Sequence, residues 1–345
     1  MAGERLVVVS YPADDEYARI NTGVLDGHAR VAFLDRVPAG ERPALLRQAA
    51  AVLSWNPERE LPPGSLQQPG GPEFLQLMSA GVDHIDLTAI PPRVAVAGNV
   101  GAYAPPIAEY VLAMTLALAR RLPQRHAALA AGRWDQAEPV LTLNGAVCAV
   151  LGFGGIGQAT ARLMRAFGAR IHAVNSTGAV GEPAEFAGTL ADLDQVLAAA
   201  DVLVISVPLT RATRGLIGAR ELGLMKPEAI LVNVARGAIV DEQALYEHLR
   251  DHPGFGAGID VWWHEPGPGE KFATRYPLLE LPNLIGSPHN SGAVAGVQAA
   301  AARQAAGNVL RYLRGEPVRG LVRRADYLLS AGPGGRPPQT PPPGA

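Results

Sequence analysis

The chain has 345 residues, 48% hydrophobic and 18% charged, and its 30 basic and 32 acidic side chains give a formal charge of −2. This length suits about two domains, and the near-neutral balance argues against partners held through a phosphate backbone or at a membrane surface. The longest strongly apolar stretch, Tyr110 to Ala119, is about half of the roughly 20 residues a membrane-spanning helix needs.

The N-terminus, Met1 to Arg5, leads into the short apolar run Leu6 to Val9 and lacks the basic and long apolar regions of a secretory leader. Cys148 is the single cysteine and has no partner for an internal disulfide. Both features point to a cytoplasmic protein. Further apolar runs follow at Ala51 to Leu53, Val94 to Ala97, Ala146 to Leu151, Ile171 to Val174, Val202 to Val207, Ile230 to Val234 and Ala257 to Val261. They are near-continuous rather than alternating, as in strands covered on both faces. Helical patterns lie between many of them, at Pro43 to Ala51, Gln158 to Phe167, Leu190 to Ala199 and Glu242 to Arg250. Alternating strands and helices predict an α/β fold of doubly wound parallel sheets.

Two longer helices are expected, Pro105 to Arg121 and the alanine-rich Val297 to Leu313. A complete nucleotide-fold pattern lies between them, so they read as crossings between an inserted domain, 104–292, and a split outer domain, 1–103 with 293–330. In the tail, 331–345, ten of fifteen residues are Gly or Pro, a composition that predicts disorder.

The inserted region opens on VCAVLGFGGIG (147–157), an apolar strand running into G-x-G-x-x-G, with a helical pattern directly after it. Gly152 permits the tight turn, Gly154 lets backbone approach a pyrophosphate, and Gly157 lets helix and strand pack closely. The amides of Gly155, Ile156 and Gly157 then face the anion. Strand before and helix after raise this common motif to a dinucleotide site. At the end of the next strand, where an acidic residue would hold the ribose of NAD, stand Asn175, Ser176 and Thr177. No carboxylate is there to repel a 2′-phosphate, which favours NADP(H), with NAD(H) the alternative. Arg170 and Arg211 are the candidate cations for that phosphate. Farther on, three strand ends carry Arg236, Glu265 and His289, which can converge beyond the carboxyl edge of one sheet.

Here the chain resembles the D-isomer-specific 2-hydroxyacid dehydrogenase family. The resemblance runs to about residue 325 and rests on AGVDHID (80–86), IAEYVLAMTLALAR (107–120), the glycine loop, VPLTRATRGLI (207–217), MKPEAILVNVARGAIVDEQAL (225–245), AGIDVWWHEP (257–266) and LPNLIGSPHNSG (281–292). It implies a Rossmann-type nucleotide domain inserted into a split flavodoxin-like substrate domain, and hydride exchange between a nicotinamide and a 2-oxo or 2-hydroxy acid. Arg236 then clamps the substrate carboxylate, His289 is the acid/base, and Glu265 orients the imidazole and favours its protonated form. The resemblance further implies that Asp260 holds the nicotinamide carboxamide, that Val207, Pro208, Val234 and Ala235 border the cofactor, and that backbone amides of Ala80, Gly81 and Val82 meet the carboxylate. Tyr103 is a candidate substrate contact, or else an interdomain packing residue. No metal is called for.

Departures from related subfamilies narrow the substrate. Glu265 stands where formate dehydrogenases carry Gln, Ala80 where phosphite dehydrogenases carry Lys, and Ser54-Trp55-Asn56 where phosphoglycerate dehydrogenases place an Arg. The length also leaves no room for the regulatory domain many of the last group carry. A small or moderately apolar 2-oxo acid fits better, such as glyoxylate, hydroxypyruvate or an aryl or alkyl pyruvate. The alternatives are a specialised phosphonate or aryl 2-oxo acid and a non-catalytic nucleotide sensor like the corepressor branch of the family. A homodimer is also implied, with Trp134 covered by the partner.

Overall fold

The computed structural model describes residues 5–134, 136, 139–267 and 269–327. The Gly/Pro-rich tail lies outside these residues. The first part of the chain forms β1 (Leu6–Val9), α1 (Asp15–Leu25), β2 (Arg30–Phe33), α2 (Arg42–Arg47), β3 (Ala49–Ser54), α3 (Pro57–Glu60), β4 (Phe74–Leu77) and β5 (Ala95–Ala97). Its five strands are all parallel, in the order β2-β1-β3-β4-β5. This is the flavodoxin-like winding, with its reversal between β1 and β3. β1 shows why the apolar runs do not alternate: Leu6 and Val8 face one core, Val7 and Val9 the other, and all four are buried.

The second part contains α4 (Ala104–Ala119), α5 (Leu122–Ala130), β6 (Val147–Leu151), α6 (Gly155–Ala166), β7 (Arg170–Val174), β8 (Phe186–Gly188), α7 (Leu193–Ala199), β9 (Val202–Ile205), α8 (Ala219–Leu224), β10 (Ile230–Asn233), α9 (Glu242–Asp251), β11 (Gly256–Ile259) and β12 (Leu284–Gly286). The chain then returns through α10 (Val297–Leu313). The seven strands are again parallel, in the order β12-β11-β10-β9-β6-β7-β8. Numbered from β6, the order is 3-2-1-4-5-6 with one strand added, the dinucleotide-binding winding. Val111, Met114 and Leu118 of α4 enter the core of this sheet. Ala302, Ala305, Val309 and Leu313 of α10 enter the core of the first. Asn308 of α10 also donates to Gln76 Oε1 of β4 at 2.6 Å.

Two expected helices end early. The run Pro43 to Ala51 stops at Arg47, because Ala49 onward pairs with β1 and β4 as a buried strand. Pro105 to Arg121 ends at Ala119, and Arg121 takes the left-handed conformation at φ 49°. Pro123 fits only the first turn of a new helix, so α5 starts there instead.

Candidate active site

The reversal of strand order in the second sheet falls between β6 and β9, and the loops leaving these strands meet there. Gly152 has φ 97°, and a Cβ on it would sit 2.6 Å from the backbone of Ser206 and Val207. A side chain at Gly157 would drive into the Gly152 carbonyl oxygen, whereas a Cβ on Gly154 would meet open space. Gly152 thus makes the tight turn, Gly154 faces open space and Gly157 sits at a close backbone contact. At the α6 N-terminus the first-turn amides, Gly155 to Gly157, have no acceptor within their own helix. This cradle fits a pyrophosphate. Gly155 has a further role, since its Cβ would lie 2.6 Å from Gly101 Cα, in the segment that joins the two sheets.

At the end of β7 the amide of Asn175 bonds Gly188 O at 3.1 Å. Its side chain is taken up by its own turn: Oδ1 accepts from Thr177 N at 2.9 Å and Gly178 N at 2.7 Å, and Nδ2 donates to Ala179 O. Asn175 thus builds the loop rather than offering a free donor, and leaves exposed Ser176 and Thr177 at the corner. The two candidate cations are directed elsewhere. Arg170 begins β7, at the opposite edge of the sheet, and donates to Gly145 O. Arg211 donates through its side chain to Ala325 O at 2.6 Å and through its amide to Asp326 O. Val207 is partly buried, Pro208 is exposed, and Val234 and Ala235 are buried at the end of β10.

The three expected site residues leave neighbouring strands. Arg236 follows β10, in a turn closed by Asn233, whose Nδ2 donates to Arg236 O and whose Oδ1 accepts from Ala235 N. Glu265 follows β11, and its Oε1 accepts from the Trp262 amide at 3.2 Å. His289 follows β12, and its Nδ1 lies 2.8 Å from Glu265 Oε2, both side chains being about 40% exposed. Half-burial alone would raise the Glu265 carboxyl. The His289 hydrogen bond and charge, the Trp262 amide and Arg236 outweigh it and hold this group below the ordinary range. His289 itself has φ 50°, a left-handed value uncommon outside glycine.

Asp260, at the end of β11, is fully buried. Its carboxylate accepts from the Ser287 hydroxyl at 2.6 Å and from the amides of Asn290 and Ser291, while its backbone carbonyl accepts from His289 N. In this conformation Asp260 anchors the His289 turn and is shielded from the cleft. The Tyr103 hydroxyl is likewise engaged, donating to Met78 O at 3.1 Å, so Tyr103 ties the start of α4 to the end of β4. Trp262 and Trp263 donate to Ser287 O and Val240 O and are packing residues of these loops.

The loop after β4 closes the site from the first sheet. Gly81 lies so close to the Arg236 Nη2 that a Cβ would overlap it. Ala80 and Gly81 are partly exposed, whereas Val82 is buried in the first core. Asp83, which the motif analysis passed over, pairs with Arg236 from the opposite side of the cleft: Nε donates to Oδ1 at 3.1 Å and to Oδ2 at 3.0 Å. Only its place two residues after Gly81 hinted at this. Among the described residues no cluster of side chains is arranged to hold a metal, and no helix is long and apolar enough to cross a membrane.

Residues 112–291 match the model of the D-isomer specific 2-hydroxyacid dehydrogenase NAD binding domain. A glyoxylate reductase of Thermococcus litoralis is 33% identical over 264 residues, covering 74% of this chain and 78% of that one. A D-3-phosphoglycerate dehydrogenase of Methanocaldococcus jannaschii is 36% identical over 246 residues, 70% of this chain but 46% of its own length. Among solved structures, a D-isomer specific 2-hydroxyacid dehydrogenase of Xanthobacter autotrophicus in complex with NADPH and MES superposes with a TM-score of 0.75 at 28% identity, covering 94% of this chain and all of the other.

Proposed function

Because the chain belongs to the D-isomer specific 2-hydroxyacid dehydrogenase family, we propose that it is an NAD(P)-dependent oxidoreductase that interconverts a 2-oxo acid and its (R)-2-hydroxy acid. The observation that carries this reading is the 2.8 Å contact of His289 with Glu265, on a strand end neighbouring Arg236. With Nδ1 held by a carboxylate, the imidazole is oriented and its Nε2 is left to exchange a proton. During reduction His289 gives that proton to the carbonyl oxygen, and in oxidation it removes it from the hydroxyl. Arg236, whose planar guanidinium meets carboxylate oxygens in pairs, holds the substrate carboxylate opposite the backbone of Ala80, Gly81 and Val82. A nicotinamide dinucleotide bound along Gly152 to Gly157 supplies the hydride in one direction and accepts it in the other. Residues 104–292 form the cofactor domain, and the rest of the described chain forms the substrate domain.

NADP(H) is the preferred cofactor in this reading, with NAD(H) the alternative. The corner at Asn175, Ser176 and Thr177 carries no carboxylate, and a relative in the family was solved with NADPH. The argument rests on missing repulsion rather than on a bound cation, since Arg170 and Arg211 are directed elsewhere. The preferred substrate is small and unphosphorylated, glyoxylate or hydroxypyruvate first among them. At the end of β3, Glu60 accepts from Ser10, Ser54, Trp55 and Asn56. The Ser54-Trp55-Asn56 segment, where the resemblance puts an Arg in phosphoglycerate enzymes, is thus tied to a carboxyl side chain and carries no cation of its own.

The test is consumption of NADPH and NADH with glyoxylate, hydroxypyruvate, pyruvate and phenylpyruvate, for the native protein and for His289→Asn. We expect turnover with at least one acid, and a loss of about 10²- to 10⁴-fold in the variant with cofactor binding retained. Cofactor binding without turnover of any acid favours the alternatives, a specialised 2-oxo acid or a nucleotide sensor.

A further inference from the structure

We propose that Asp83 is a positioning residue for Arg236, so that the carboxylate clamp becomes complete only when the two domains are closed on one another. The inference deepens the reading of Arg236 as the clamp and rests on it. Arg236 stands on the sheet that carries the glycine loop, and Asp83 stands on the other sheet. Their ion pair spans the cleft at 3.0 Å, with the side chains 28% and 20% exposed.

A guanidinium has five N–H donors in a rigid plane. Asp83 takes the Nε edge with both carboxylate oxygens, and the Ala235 carbonyl takes one Nη1 donor at 2.7 Å. One Nη1 and two Nη2 donors remain, and Nη2 lies against Gly81, in the loop read as the carboxylate seat. Asp83 therefore fixes the rotation of the guanidinium plane and leaves its Nη edge for the substrate. Arg236 keeps this aim only while the first domain supplies Asp83.

A second cross-cleft link lies beside the pair. Arg324 donates to the carbonyls of Leu87, Ile90, Pro91 and Val94 of the substrate domain. The next residues, Ala325 and Asp326, accept from Arg211 of the cofactor domain. Tyr327 follows and packs on the same core as Val82. Its phenol is pushed up by burial and by the nearby Asp83 and Asp326 charges, which Arg236 partly offsets. The clamp thus sits where the domains are tied at two points.

The sign of one measurement separates positioning from simple neutralisation. If Asp83 merely offset the Arg236 charge, Asp83→Asn would strengthen the attraction for an anionic substrate and lower KM. A positioning role predicts the opposite: KM for the oxo acid and the inhibition constant of oxalate rise about ten-fold or more, kcat falls less, and the dissociation constant for the dinucleotide is unchanged. Asp83→Glu should recover part of the loss. In an Arg236→Lys background, whose ammonium has no plane to orient, Asp83→Asn should add little. An unchanged or lowered KM in Asp83→Asn overturns the inference, as does a full second loss in the Lys background. Arg236→Gln is the control for the underlying reading: if it keeps native turnover the clamp assignment fails, whereas loss in Arg236→Gln beside a native-like Asp83→Asn sinks the positioning role alone.

Discussion

At the scale of single residues, the chemistry depends on side chains whose hydrogen bonds leave them little freedom. Glu265 is held by the Trp262 amide and by His289, and its carboxyl ionises below the usual range. For an acid with a lowered pKa, the favourable pairing is complete above the ordinary carboxylate range and is lost as pH falls through the lowered value. Native turnover should therefore keep its Glu265 contribution down through the ordinary glutamate range. In Glu265→Gln the counter-charge is missing at every pH. Turnover should fall by about ten-fold or more, with the gap to the native protein closing only as pH falls through the lowered Glu265 value. A pH profile of the variant that overlays the native one would refute this role. Among these residues, Arg236, Glu265 and His289 were legible from their strand-end positions and the motifs around them. Asp83 was not, because its partner lies 153 positions away. Neither was the use of the Asp260 carboxylate, which depends on how the chain turns after β12.

At the scale of elements, strands with both faces covered were the easiest to read. β1 was placed to the residue, and β6, β7, β9, β10 and β11 to within one or two. β2, β4 and β8 gave no such signal. β2 is a half-exposed edge strand, β8 has three residues at the other sheet's edge, and β4 carries Gln76 amid its apolar residues. The last turns of α9 hold a further pH-sensitive group. His248 stacks on His252 and packs edge-on against Phe255, and its Nε2 is buried without a partner. Burial, and secondarily His252, push it down to about 4 from 6.5. A base with a lowered pKa is protonated in the unfolded chain before the folded one. Its contribution to stability is thus present above about 6.5 and lost as pH falls from there toward about 4. Melting temperatures across this range should fall with acidification in the native protein and fall less steeply in His248→Gln. Equal slopes would show that the acid sensitivity arises elsewhere.

At the scale of the whole molecule, α5 and the segment after it leave an apolar surface uncovered. Leu122, Leu129 and Trp134 are 54%, 55% and 76% exposed. Exposed large apolar groups on one helix and the segment after it are what an interaction surface presents, and we propose that a second copy of the chain covers them. Light scattering should then give twice the chain mass, and Trp134→Glu should shift the protein toward monomer. A native protein that scatters as a monomer at micromolar concentration would exclude this.

The local sequence determined the alternation of strands and helices, the glycine turn after β6 and the strand ends that carry the three proposed catalytic side chains. Each is a matter of contiguous pattern: buried strands need unbroken apolar runs, a turn at φ 97° needs glycine, and proton transfer needs an imidazole. Only the tertiary structure decided which groups meet across the chain. It turned Asn175 and Arg211 to structural bonds, gave Asp260 to the His289 turn, and set Asp83 against Arg236. These are questions of direction and competition among hydrogen-bond partners, and a side chain's partner is settled only when distant loops are brought within about 3 Å of it.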